Sequence, residues 1–102
     1  MTSVPDRHPR HRLDSQLSGA VRLSIMATLV TVEDIEFGAL RDVVEVTDST
    51  LSKQLAALES IDYVQIKKGY YGKRPRTWVS CSATGRRSYD NHVRALEQVL
   101  GI

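Results

Sequence analysis

Leu17, Val21, Ile25 and Leu29 recur every four residues, with Met26 beside them. That spacing puts one apolar face on a helix over about 16–30, which Asp14 or Ser15 can cap. Val32-Glu33-Asp34-Ile35-Glu36 is too acidic and too short for a full strand, and predicts at most a short edge bridge. Phe37, Leu40 and Val43-Val44 give a second, short amphipathic helix ending near Glu45. Thr47 or Asp48 then caps a longer helix, about 48–61, with Leu51, Leu55, Leu58 and Ile61 on its inner face. The period then changes from near four to two. Tyr63-Val64-Gln65-Ile66-Lys67 and Thr77-Trp78-Val79-Ser80-Cys81 alternate and favour strand. Between them, Lys68 to Arg76 holds Gly69, Gly72 and Pro75, and reads as a long hairpin loop. Ser82 or Thr84 opens a last helix, about 84–100, with Tyr89, Val93, Leu96 and Leu100 at intervals of four, three and four.

The 102 residues are enough for one domain over 16–102. Residues 1–15, with two prolines in the first nine and no apolar period, read as a disordered, mildly basic tail. His8 and His11 have no carboxylate or thiol nearby to complete a metal ligand set, so no metal site is expected. The single cysteine, Cys81, excludes an intramolecular disulfide and a Cys-rich metal site. Its expected state is a buried, inert thiol. No long apolar run suggests a membrane span, and no apolar signal core suggests secretion, so a cytoplasmic protein is expected. No nucleophile–base pairing and no phosphate-binding glycine loop point to an enzyme or a cofactor.

Charge changes the picture. Net charge is only +2, yet residues 63–87 carry seven Lys/Arg and no Asp or Glu, while residues 16–62 carry eight acids against three bases. Grouped charge makes a local field that selects an anionic partner, most simply double-stranded DNA. A short helix, a tight turn and a longer helix form a helix-turn-helix. Followed by a basic hairpin, it makes a winged helix-turn-helix of mainly α, α+β class, with a two-stranded wing over about 63–82.

At this point the chain resembles the short winged-helix regulators of the MarR and ArsR families. The resemblance rests on Val21-Arg22-Leu23-Ser24-Ile25-Met26, Glu36-Phe37-Gly38-Ala39-Leu40, the run Thr47 to Glu59, Lys68-Gly69 through Arg74-Pro75-Arg76-Thr77-Trp78, and Ala83-Thr84-Gly85-Arg86. It implies a homodimeric transcriptional regulator bound to promoter DNA. Two positions depart from the pattern. Asp62-Tyr63 replaces a small residue and a glycine turn, and Ala57 replaces a polar or basic DNA-facing residue. Relatives often bind small aromatic effectors between dimer helices and DNA-binding domain. This chain has little extra structure for such a pocket, so an effector is left open.

The residues reach much of this on their own. Ser49, Thr50, Ser52, Lys53 and Gln54 lie wholly or partly on the outer face of the third helix near its start, where recognition helices meet base edges. Gln54 suits adenine, and Lys53 suits guanine or a phosphate. Lys73, Arg74 and Arg76 suit the DNA backbone or a narrow minor groove, with Pro75 stiffening the tip. Tyr70 or Tyr71 is expected to pack at the wing root, and His92 to be structural. Tyr89, Val93, Leu96, Val99 and Leu100 are too many for a terminal helix at the edge of so small a domain, and suggest a two-fold dimer seam. Two recognition helices would then sit roughly 34 Å apart over a near-palindrome, with the protein acting as a repressor. The competing expectation is a protein-interaction module whose basic wing meets an acidic partner.

Overall fold

Leu51, Leu55 and Leu58 are fully buried, and the whole chain is arranged around that stripe. In this computed structural model, residues 7–102 are described. Two 3-10 turns, Pro9–Arg12 and Ser15–Leu17, lead into helix α1 (Ala20–Leu29). A two-residue strand β1 (Ile35–Glu36), helix α2 (Phe37–Val44) and helix α3 (Asp48–Ser60) follow. Strands β2 (Val64–Tyr71) and β3 (Arg74–Cys81) and the long helix α4 (Ala83–Leu100) complete the chain. Four helices and a three-stranded antiparallel sheet in the order β1-β3-β2 make the winged helix-turn-helix expected from the pattern. Ile25, Met26 and Leu29 of α1, Leu40 of α2, and Val64 and Val79 of the sheet close over the leucines of α3. Each such side chain contributes about 1.5–3 kcal/mol by leaving water.

Local chemistry sets the ends of the elements. Glu45, with φ 56°, takes the left-handed position after α2 and turns the chain toward α3. Thr47 caps α3, its Oγ1 accepting from the Thr50 N–H at 3.1 Å. Arg41 of α2 reaches Asp48 at 2.8 Å and Asp42 at 2.9 Å, which ties the two helices together and neutralises that guanidinium. At the far end of α3, the Tyr63 N–H donates to the Leu58 carbonyl and the Asp62 N–H to that of Glu59, both at 2.9 Å. This is the Schellman arrangement. Asp62, with φ 63°, takes the left-handed position that glycine favours, so Asp62-Tyr63 still makes the turn.

Three expectations change. First, residues 7–15 are not a disordered tail; residues 1–6 lie outside the described range. The Asp14 N–H donates to Nδ1 of His92, which is only 3% exposed, at 2.9 Å. The Asp14 carboxylate accepts from the Gln16 N–H at 2.8 Å and from the Tyr63 hydroxyl. The segment is held by α4 and the wing root, partners 78 and 49 residues away that no local composition reveals. Second, α1 begins at Ala20 rather than 16, because Ser18-Gly19 breaks the spiral; Leu17 is still fully buried, from the preceding 3-10 turn. Third, the hairpin loop is short. β2 and β3 pair through Tyr71↔Arg74, leaving only Gly72-Lys73 to turn. Gly72, with φ 63°, stands first in that turn, the place a type II′ hairpin gives to glycine. Pro75 therefore lies inside β3, opposite Tyr70, where β1 no longer pairs and the missing N–H faces an open edge.

Candidate nucleic-acid interface

The alternation of the wing strands separates their cations. Val64 and Ile66 face inward, so Lys68 and Tyr70 continue that side of β2, and Thr77 and Pro75 that of β3. This side forms one wall of an open groove of about 440 Å³ whose other wall is α3, with Ser52, Ala56 and Glu59 facing Lys68 and Thr77. Lys67, Arg74, Arg76 and Trp78 stand on the opposite side. There Lys67 and Trp78 share a hollow with Glu33 and Asp34, and Arg76 lies 3.8 Å from Glu36. The acids of the β1 region thus temper two of the cations. Lys73 and Arg74 at the tip are exposed and, among the described residues, have no ion-pair partner.

Ser49, Ser52 and Lys53 are exposed on α3, as a base- or phosphate-facing surface requires. Thr50 is half-buried in the cap, its Oγ1 accepting from that of Thr47 at 3.0 Å. Gln54 is also half-buried, and its Oε1 accepts from the Arg22 Nε–H at 2.7 Å. The oxygen that a bidentate adenine contact needs thus already accepts one hydrogen bond, which turns the side chain toward α1. The structure sets Ser52 across the groove from the wing, leaves Ser49 and Lys53 exposed on the same helix, and holds Thr50 and Gln54 back. Lys68 was missed as a site residue, although the period-two pattern running outward from Val64 and Ile66 would have placed it beside α3.

The tyrosines overturn another expectation. Tyr70 and Tyr71 are 77% and 73% exposed, so neither packs at the wing root. Trp78, half-buried opposite Lys67 and Glu36, stands there instead. Cys81 is half-buried against the core; burial pushes its thiol up, and Arg86 pulls it back less strongly. Tyr63 is raised by burial and by its bond to Asp14. Among the described residues no group of three or more His, Cys, Asp or Glu is placed to hold a metal ion, and no helix is long and apolar enough to cross a membrane.

On α4, Gly85, His92 and Ala95 are buried. Tyr89 also packs on the core of its own chain, which reduces its part in the expected seam. Val93 and Leu96 are half-buried, Val99 is exposed and Leu100 is 63% exposed. With Ile102 they leave an uncovered apolar strip along the second half of the helix.

A helix-turn-helix whose second helix presents polar residues beside a basic hairpin is the architecture of winged-helix transcriptional regulators. Residues 21–100 match the winged helix DNA-binding domain family, and the chain belongs to it. An uncharacterized protein of Methanocaldococcus jannaschii is 29% identical over 82 residues, 80% of this chain and 89% of that one. The structure of a transcriptional regulator homologue from Pyrococcus horikoshii OT3 superposes with a TM-score of 0.79 at 27% identity, covering 84% of this chain and 85% of its own. A MarR-family regulator from Enterococcus faecalis V583 shares the fold at 21% identity, with a TM-score of 0.72 over 81% of this chain and 74% of its own. The fold is thus MarR-like.

Proposed function

We propose that the protein is a homodimeric, sequence-specific regulator that represses transcription by occluding a near-palindromic promoter site. One observation carries this reading: Ser49, Ser52 and Lys53 lie exposed on α3 beside a wing whose Lys68, Lys73 and Arg74 have no ion-pair partner among the described residues. Exposed hydroxyls and a cation at the start of a recognition helix suit base edges and phosphates. Unneutralised cations beside it suit the backbone. The uncovered strip of Val93, Leu96, Val99 and Leu100 supports pairing of two copies through α4, since an apolar patch rimmed by polar residues marks an interface.

Fluorescence anisotropy tests this with two labelled duplexes of about 30 base pairs, one from upstream of the protein's own gene and one with that sequence scrambled. A preference of roughly 1000-fold that survives physiological salt is expected. Equal binding to both, erased by salt, would remove the sequence-specific reading and turn attention to an acidic protein partner.

A further inference from the structure

Arg22 is held unlike Arg41 and Arg76, the two arginines that meet carboxylates among the described residues. Arg41 is bound by two carboxylates and Arg76 lies near a third. Arg22 is bound by two neutral amides instead. Its Nε–H donates to Gln54 Oε1 at 2.7 Å, and its Nη1 to Gln16 Oε1 at 2.9 Å. No ion pair to it occurs among the described residues. The side chain is half-buried and anchored at two points, so its orientation is fixed while its charge stays whole. Five donors in a planar fork leave N–H groups to spare after two bonds. Pre-orientation lowers the ordering cost of binding an anion.

The position of that charge gives it a use. On α3, Leu51, Leu55 and Leu58 face the core. Ser52 and Glu59 face the wing groove, and at about 100° per residue Gln54 falls on the opposite flank. Arg22 therefore stands across α3 from Lys68. A recognition helix in a major groove about 12 Å wide has a phosphate strand on each side. The wing serves one side. Beside Arg22 opens a hollow of about 400 Å³, where Ser15, Gly19 and Ala20 are too small to cover the guanidinium.

We infer that Arg22, oriented by Gln54 and Gln16, binds a DNA phosphate on the flank of α3 opposite the wing. Gln54 is then a positioning residue rather than a reader of adenine. The inference rests on the DNA-binding reading above. It assigns to α1 a share of an interface otherwise confined to α3 and the wing.

The test compares wild type, Arg22→Gln, Gln54→Met and Arg74→Ala. Binding to a labelled 30-base-pair duplex is titrated at several salt concentrations, and thermal unfolding is measured in parallel. Arg22→Gln keeps a polar group of similar length but loses the charge. It should weaken binding about tenfold to operator and random duplex alike, and lower the salt slope by about 0.9 per protomer. Its unfolding midpoint should stay near wild type. Gln54→Met should weaken binding about threefold, with the order of preferred sequences unchanged, because Arg22 loses its guide but not its charge. A merely structural Arg22 would lower the unfolding midpoint and leave the salt slope alone. Unchanged affinity and slope in Arg22→Gln, with Arg74→Ala impaired, would overturn the inference and leave the DNA reading standing. So would an altered base preference in Gln54→Met. Failure of the wild type to bind any duplex would overturn both.

Discussion

Replacing Gly85 with alanine should destabilise the fold more than any surface change in the wing. A Cβ built at Gly85 lies 2.0 Å from the Tyr63 carbonyl oxygen, 2.8 Å from its carbon and 2.9 Å from its Cα, whereas ordinary contact begins near 3.4 Å. The obstacle is backbone, so no rotamer change relieves it. α4 and the start of β2 must part by about 1.4 Å. That separation strains the bond from the Ser82 N–H to the Tyr63 carbonyl, now 3.1 Å. Overpacking of this kind costs about 1–3 kcal/mol, and the weakened hydrogen bond adds about 1 kcal/mol. Alanine returns up to about 1 kcal/mol of helix propensity. A net loss of about 1–3 kcal/mol follows, which lowers the melting midpoint by roughly 5–20 °C in a domain of this size. Urea unfolding at one fixed protein concentration measures it, since the stability of the proposed dimer depends on concentration. Gly69→Ala is the control. Its Cβ would meet nothing within 4 Å, so a change within about 0.5 kcal/mol is expected. If Gly85→Ala matched wild type within that margin at unchanged m-value, the close approach of α4 to the wing root would not be a constraint on the fold.

Further predictions concern charge, assembly and pH. Arg74→Ala and Lys68→Ala should each weaken binding to all duplexes and reduce the salt slope by about one per protomer; an unchanged slope in both would remove the wing from the interface. Leu100→Asp should shift the protein from dimer to monomer in sedimentation velocity with its circular dichroism intact, since Leu100 is 63% exposed and outside the core; an undisturbed dimer would place the seam elsewhere. Glu45→Gly should raise stability by about 0.5 kcal/mol, because relief of the left-handed strain at φ 56° slightly exceeds the entropy glycine adds to the unfolded chain. Stability should fall as pH rises past about 9. Cys81 and Tyr63 are both raised above their ordinary values of 9.0 and 10.0 by burial, so the unfolded chain loses those protons first and gains with each step upward in pH. A flat stability profile from pH 8 to 11 would contradict both shifts.

The sequence by itself determined the elements and their order. Near-four spacing at Leu51, Leu55 and Leu58 and period two at Val64 and Ile66 report burial of a single helix or strand against some core, whatever that core is. Thr47 and Ser82 mark helix starts for equally local reasons, each bonding a backbone N–H three residues on. Tertiary structure alone decided where the polar side chains went. Gln54 belongs to Arg22, 32 residues away, rather than to an outer face. His92 and Tyr63 gather residues that read as a tail. Tyr70 and Tyr71 are carried beyond the core by two long strands closed in a two-residue turn, so neither has anything to pack on. Hydrophobic burial is periodic and leaves its mark within one element. A hydrogen bond depends on the approach of two elements to within about 3 Å, and that approach is fixed only when the whole core has closed.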